Sequence, residues 1–338
     1  MGYQARTTNP APGAPDGRPH TRARPARLAR PTIRPMLRSR PALAALVSAL
    51  ALAGCASGPA IDTRHTAQAQ GSRVQHIVLH YTVGGFDSAL KTLTQGPVSS
   101  HYLVARQPPT VYRLVSEDRR AFHAGVSHWR GQTGLNASSV GIEIVNAGIA
   151  DGAPRAFVPE RFEPFPEPQV AAVIDLVREI ARRHQVPPHQ IVGHSDIAPS
   201  RKMDPGPLFP WARLHAAGLL PWPDAEQVAA AQARWSAPGQ VLPDAAWFQQ
   251  RLAAVGYGVP QHGQWDAATR DALIAFQVKH RPRLFNGQPD AETTAWLEVA
   301  SSPGGLVMVG PDGQRQPYRI DPPYRLDSSY RTDQAARP

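Results

Sequence analysis

Apolar residues fall along this chain in two rhythms. The run Val74-Gln75-His76-Ile77-Val78-Leu79-His80-Tyr81 is β-branched and nearly continuous in apolar character, the mark of a strand buried on both faces. His80 stands at its end, ahead of a Gly84-Gly85 breaker. Two more strands are expected over residues 100–105 and 111–115, joined by a turn at Pro108-Pro109. Val140-Gly141-Ile142-Glu143-Ile144-Val145-Asn146 reads as a further strand with an acid set between isoleucines. Ile191-Val192-Gly193 reads as a short strand that leads His194 into a loop. The second rhythm is helical. Val170, Val173, Ile174, Val177, Ile180 and Ala181 share one face at helical period, which predicts a helix over residues 168–184 ended by Pro187-Pro188. A shorter helix is expected with Asp87 as its N-cap, running through Leu90 and Leu93 to Gly96-Pro97. Strands and helices interleave, so the expected fold class is α/β, a mixed central sheet flanked by helices.

Beyond residue 222 the strand signals stop. Residues 223–240 are Ala-rich with Pro238-Gly239 and are expected to be a linker, helical in part. Residues 241–300 carry three short helical patterns: Trp247, Phe248, Leu252 and Val255; then Thr269, Ala272, Leu273 and Phe276; then Thr293, Trp296 and Leu297. Asp266-x-x-Thr269 and Asp290-x-x-Thr293 mark two helix starts, with Asp and Thr both eligible as the cap. Residues 301–338 are rich in Gly, Pro and Arg and are expected to be a disordered tail.

Charge narrows the field. The formal net charge is +10, but residues 1–54 hold nine arginines and one aspartate, which leaves +2 for the rest of the chain. No basic stripe remains in the folded part, so a nucleic-acid partner is not expected. Arg38 and Arg40 precede an apolar stretch at residues 42–53 that is too short to span a bilayer, which needs roughly 20 residues. A basic segment, a short apolar segment and small residues before a cleavage point describe a secretory signal over residues 36–55. Its end, Leu52-Ala53-Gly54-Cys55, resembles the bacterial lipoprotein box, in which the cysteine is lipidated and becomes the first mature residue. With Ala56 rather than aspartate next, the resemblance implies an outer-membrane lipid anchor at Cys55 facing the periplasm. Residues 1–35 lack apolar periodicity and read as disordered; Met36, just before the signal, is the expected translation start. Residues 56–72 would form a tether. Cys55 is the one cysteine, so neither an intramolecular disulfide nor a cysteine zinc site is available.

The candidate chemistry lies at strand ends. His80, Glu143 and His194 each terminate a buried run, and Asp204 follows His194 in a loop stiffened by Pro199, Pro205 and Pro207. Two imidazoles and a carboxylate are the ligand types of a catalytic zinc, which keeps one position open. Taken singly, His80 reads as a hydrogen-bonded core histidine, and Glu143 as a side chain turned to solvent. No local pattern ties the ligands together.

Six segments in order carry a family resemblance: IVLHYTVGG (77–85), VSSHYLVAR (98–106), FHAGVSHWRG (122–131), NASSVGIEIVN (136–146), FPEPQ (165–169) and VGHSDIAPSRKMDPGPLFPW (192–211). Together they resemble the zinc N-acetylmuramoyl-L-alanine amidases of the amidase-2 type, which share a fold with peptidoglycan recognition proteins. Within that family the lipobox points to the outer-membrane lipoprotein branch. The resemblance implies an amidase domain over residues 73–222 with one zinc per chain held by His80, His194 and Asp204. It implies a catalytic Glu143 assisted by Lys202, and a substrate groove lined by His123 and Trp129, for which plain loop packing is the competing reading. His101 is expected to be structural or to back a ligand. Residues 241–300 resemble the small three-helix peptidoglycan-binding domain, with Phe276-Gln277 and Asn286-Gly287-x-x-Asp290 in place. The implied activity is hydrolysis of the amide between the lactyl group of N-acetylmuramic acid and L-alanine. The implied partners are peptidoglycan and muropeptides, and the protein is expected to be a monomer. A non-catalytic recognition protein of the same fold is the alternative, and Asp204 with Glu143 favours the enzyme.

Overall fold

The computed structural model describes residue 59, residues 61–149 and residues 161–320, and its main compact unit begins at Gln68. The expected signal, Cys55 and the segment ahead of Met36 lie outside the described residues. Among the described residues no helix is long and apolar enough to cross a membrane.

Five strands make the main sheet: β1 (His76–Tyr81), β2 (Tyr102–Val104), β3 (Val111–Arg113), β6 (Ser139–Ile144) and β7 (Ile191–Gly193), in the order β3-β2-β6-β1-β7. β1, β2, β6 and β7 pair in parallel, and β3 closes one edge antiparallel to β2. The sheet is therefore mixed, as expected. A two-stranded ribbon pairs β4 (His128–Trp129) with β5 (Gln132–Thr133). Helix α1 (Phe86–Gln95) has Gly85 at its N-cap, with Asp87 in the first turn rather than capping it. Helix α2 (Glu167–His184) buries the face counted from sequence, placing Val170, Val173, Val177 and Ile180 against Ile77, Leu79, Val140 and Ile142. Each such side chain contributes about 1.5–3 kcal/mol when fully buried.

The other face of the sheet is covered from a distance in sequence. Val78 and Val192 join a core with Phe248, Leu252, Leu273 and Phe276, which belong to α6 (Ala245–Val255) and α7 (Ala267–His280). These two and α8 (Ala291–Ser301) are the three expected helices, and Asp244, Asp266 and Asp290 are their N-caps, each accepting from the backbone N–H three residues on. A buried glutamine fixes each connection. Gln249 accepts from Gly263 N and donates to Gln264 O and Thr269 Oγ1 at 2.8–2.9 Å. Gln277 repeats the arrangement with Gly287, Gln288 and Thr293.

The helical part expected within the linker is α5 (Ala225–Trp235), whose Val228 and Ala231 pack on Ala295 and Val299 of α8. One expectation about the flanks needs correction. The presumed disordered tail contains β9 (Leu306–Val309) and β10 (Arg315–Tyr318), which join β8 (Trp222–Pro223) in a three-stranded antiparallel sheet. Flanking Gly and Pro residues obscured the apolar run Leu306-Val307-Met308-Val309, and the same residues make its turn: Gly310 N donates to Gln314 O.

Candidate active site

Strand alternation puts the chemistry on one face. Ile77 and Leu79 point under α2, so His76, Val78 and His80 point the opposite way. In β6 the outward set is Ser139, Gly141 and Glu143, and the parallel register sets Glu143 beside His80. Next to β1, Gly193 ends β7 and His194 opens the one-turn helix α3 (His194–Ile197). The proline-rich loop returns so that Ser195 N donates to Asp204 O at 2.9 Å, which brings the Asp204 carboxylate to the histidines.

The three side chains converge atom on atom. His80 Nδ1 lies 2.9 Å from His194 Nδ1 and 3.0 Å from Asp204 Oδ2, and His194 Nδ1 lies 3.1 Å from that same oxygen. All three residues are buried. The surrounding hydrogen bonds assign the tautomers. Ser139 Oγ gives its hydrogen to Leu135 O at 2.6 Å, so the 3.1 Å contact with His123 Nε2 must be donated by His123. His123 Nδ1 is then an acceptor and takes the Nε2–H of His80 at 3.0 Å. That leaves His80 Nδ1 as a bare lone pair. His194 Nε2 donates to Ala124 O at 3.2 Å, which frees its Nδ1 likewise. Burial, reinforced by His194, pushes the His80 imidazole down to about 4, and burial holds His123 well below the usual range, so both rings are neutral near pH 7.

Glu143 faces the same space. Its Oε2 is sealed from solvent with no hydrogen-bond partner. Burial pushes its carboxyl well above the usual range, Asp204 adds to this, and Lys202 opposes it. These groups open into a pocket of about 220 Å³ with Lys202 on its wall and Val83, Val98 and Phe122 at its rim. His123 also borders the pocket, but both ring nitrogens are engaged inside the protein. Its ring rests on Gly141, where an added Cβ would come within 2.5 Å of His123 Cγ. His101 is structural: its Nδ1 accepts from Gly141 N at 3.0 Å, tying the start of β2 to β6. Trp129 is not at this pocket. Its indole is 4 % exposed, edge-on to Tyr257 with ring centroids 5.3 Å apart, so the expectation that it lines the groove is corrected: it is a core anchor for the C-terminal helices. Sequence reading passed over Ser139, and Asn136, whose Oδ1 accepts from His123 N and Ala124 N. A hydroxyl at period two from Glu143 on an apolar strand was the available clue.

Comparison with known proteins adds the family. The chain is 42 % identical over 268 residues to the N-acetylmuramoyl-L-alanine amidase AmiD of Escherichia coli, spanning 75 % of this chain and 95 % of that protein. The chain belongs to the N-acetylmuramoyl-L-alanine amidases. The family model of that description matches residues 70–207, and a peptidoglycan binding domain model matches residues 242–297. Among solved structures, AmiD in complex with anhydro-N-acetylmuramic acid-L-Ala-D-γ-Glu-L-Lys aligns over 70 % of this chain and 92 % of its own, with a TM-score of 0.62 and 42 % identity. AmpDh3 of Pseudomonas aeruginosa aligns over 71 % and 96 %, with a TM-score of 0.63 and 35 % identity.

Amidases of this family use zinc, and the donor set here fits it. Three lone pairs meet with no proton to share among them, an arrangement that only a cation or added protons relieve. Ligand atoms about 2.1 Å from a tetrahedral ion sit roughly 3.4 Å apart, close to the 2.9–3.1 Å found here. Among the described residues this is the one cluster of three or more His, Cys, Asp or Glu side chains suited to a metal.

Proposed function

We propose that this amidase is a zinc enzyme of the cell envelope, with His80, His194 and Asp204 as the ligands, Glu143 as the proton carrier and Lys202 as the oxyanion partner. It hydrolyses the amide between the lactyl group of N-acetylmuramic acid and L-alanine in peptidoglycan. The observation that carries the reading is the convergence of three ligand atoms beside a glutamate whose Oε2 is sealed and unpartnered, in an open pocket. Bound zinc supplies Lewis acidity toward the scissile carbonyl and lowers the pKa of water to about 7. Glu143 takes the proton from the attacking water and passes it to the departing L-alanine nitrogen. Its raised affinity for a proton suits both halves of that transfer. Lys202, on the pocket wall, offers positive charge where the carbonyl oxygen becomes an oxyanion. The apolar rim of Val83, Val98 and Phe122 suits the methyl-bearing lactyl and alanyl groups flanking the bond. The C-terminal helices would hold the wall polymer.

Residues 36–55 are proposed to act as a lipoprotein signal that leaves Cys55 lipidated in the outer membrane, facing the periplasm, with the enzyme acting as a monomer. The lipobox sequence supports this part of the reading. The test is digestion of purified peptidoglycan by the zinc-loaded chain, followed by mass spectrometry. Intact glycan and free stem peptides beginning at L-alanine are expected. Binding to the wall with no new L-alanine amine would refute the hydrolytic reading.

A further inference from the structure

Asp196 is 1 % exposed and lies two residues beyond ligand His194. Its Oδ2 accepts from Gly193 N at 2.8 Å, closing the turn that carries the histidine. The remaining acceptor positions are filled by residues far along the chain. Tyr257, just after α6, donates its hydroxyl to Oδ1 at 2.9 Å, and Lys279 of α7 donates to Oδ2 at 2.7 Å. The Lys279 ammonium also sits 4.2 Å from the ring centroid of Trp211, so the pair is clamped from the amidase side as well. Tyr257 is 2 % exposed, and the Lys279 side chain 11 %. A carboxylate this deeply buried is tolerated only with such partners, and without them it would turn toward water and release the Gly193–Asp196 turn.

We propose that the peptidoglycan-binding helices are a working part of the metal site: Lys279 and Tyr257 position ligand His194 through Asp196. The proposal rests on the zinc reading of His80, His194 and Asp204. It makes the C-terminal module more than a tether, because the helices that hold the wall also hold a ligand in register. Asp196, Tyr257 and Lys279 are positioning residues and touch neither substrate nor reacting atoms.

The test uses the full chain with Tyr257→Phe, Lys279→Met, the double variant and Lys279→Arg. Zinc affinity is read by competition with a chromogenic chelator, melting temperature is measured with and without zinc, and kcat and KM are determined on a muropeptide. Outer supports of metal ligands typically change affinity 10–100-fold, so Lys279→Met should lose about tenfold, the double variant more, and Lys279→Arg should recover most of the loss. The rise in melting temperature on adding zinc should shrink in the same order. kcat should fall while KM holds. A purely structural contact would lower both melting temperatures equally and leave zinc affinity unchanged, and that result would overturn the proposal. If the double variant fails to fold, Tyr257→Phe, which deletes a single oxygen, decides by the same readout. A wild-type chain that takes up no zinc would instead sink the metal reading and this proposal together.

Discussion

Replacing His123 with leucine tests the tautomer chain without touching a metal ligand. The native ring accepts the Nε2–H of His80 at 3.0 Å and donates to Ser139 Oγ at 3.1 Å, and Ser139 passes its own hydrogen to Leu135 O. Leucine keeps the bulk above Gly141 but offers no acceptor. His80 is 1 % exposed, so its Nε2–H would be buried without a partner, a cost of about 1–3 kcal/mol. The ring can escape that cost by moving its proton to Nδ1, the atom that faces His194 and Asp204. Either way the ligating form loses the same bias, and at about 1.4 kcal/mol per tenfold the zinc affinity should drop roughly 5- to 150-fold. That range overlaps the 10–100-fold expected for groups that orient metal-bound histidines. Chelator competition on the purified protein reads this directly, with no substrate present. His123→Asn supplies an amide oxygen near the position of Nδ1 and should restore much of the affinity. Ser139→Ala, which removes only the far end of the chain, should cost less than His123→Leu. Zinc held as tightly by His123→Leu as by wild type, or equal losses in the leucine and asparagine variants, would refute the assignment.

His80→Ala, His194→Ala and Asp204→Ala should each lose most bound zinc and nearly all activity; metal analysis showing one zinc per chain in all three would remove them as ligands. Glu143→Gln and Lys202→Ala should keep zinc yet lose on the order of 10² or more in kcat, and near-wild-type turnover by the zinc-loaded variants would dismiss both roles. Folding holds the Glu143 carboxyl well above its ordinary value of 4.5, so the folded metal-free protein resists ionising it. Glu143→Gln should therefore stabilise that form progressively above pH 4.5 and not below, and a pH-independent melting difference would contradict this. Glu117 has the opposite sign: burial opposes ionisation, but hydrogen bonds from Arg183, His184 and Tyr102 hold its carboxyl at about 2 against 4.5. Its contribution is present above pH 4.5 and fades as pH falls toward 2, so acid titrations of wild type and Glu117→Gln should converge there.

The residues themselves determined the local order. Alternation along β1 and β6 and the helical stripe of α2 are properties of consecutive positions, so the central sheet and its main covering helix could be read without coordinates. The starts of α7 and α8 were legible for the same reason, since a cap bonds three residues away, although the choice between aspartate and threonine as the cap was not. The six segments also brought His80, Glu143, His194, Lys202 and Asp204 into view, as residue types at familiar spacings. What the sequence could not supply was the partner of each polar group. His123 borders the pocket as expected, but the sequence did not show that its ring also holds the tautomer of His80, where strand register and a glycine at 141 bring it. Trp129 looked equally available but is packed under helices that begin more than a hundred residues later. The hairpin of β9 and β10 was hidden because its one long-range pairing, to β8, spans some eighty residues. Asp196 carried no signal of its own, because its partners stand 61 and 83 residues away. Helical and strand periodicity are set by bonds between near neighbours, whereas the partner of a buried charge is chosen by whatever surface packs against it. That choice is made only when the two faces of the sheet are closed.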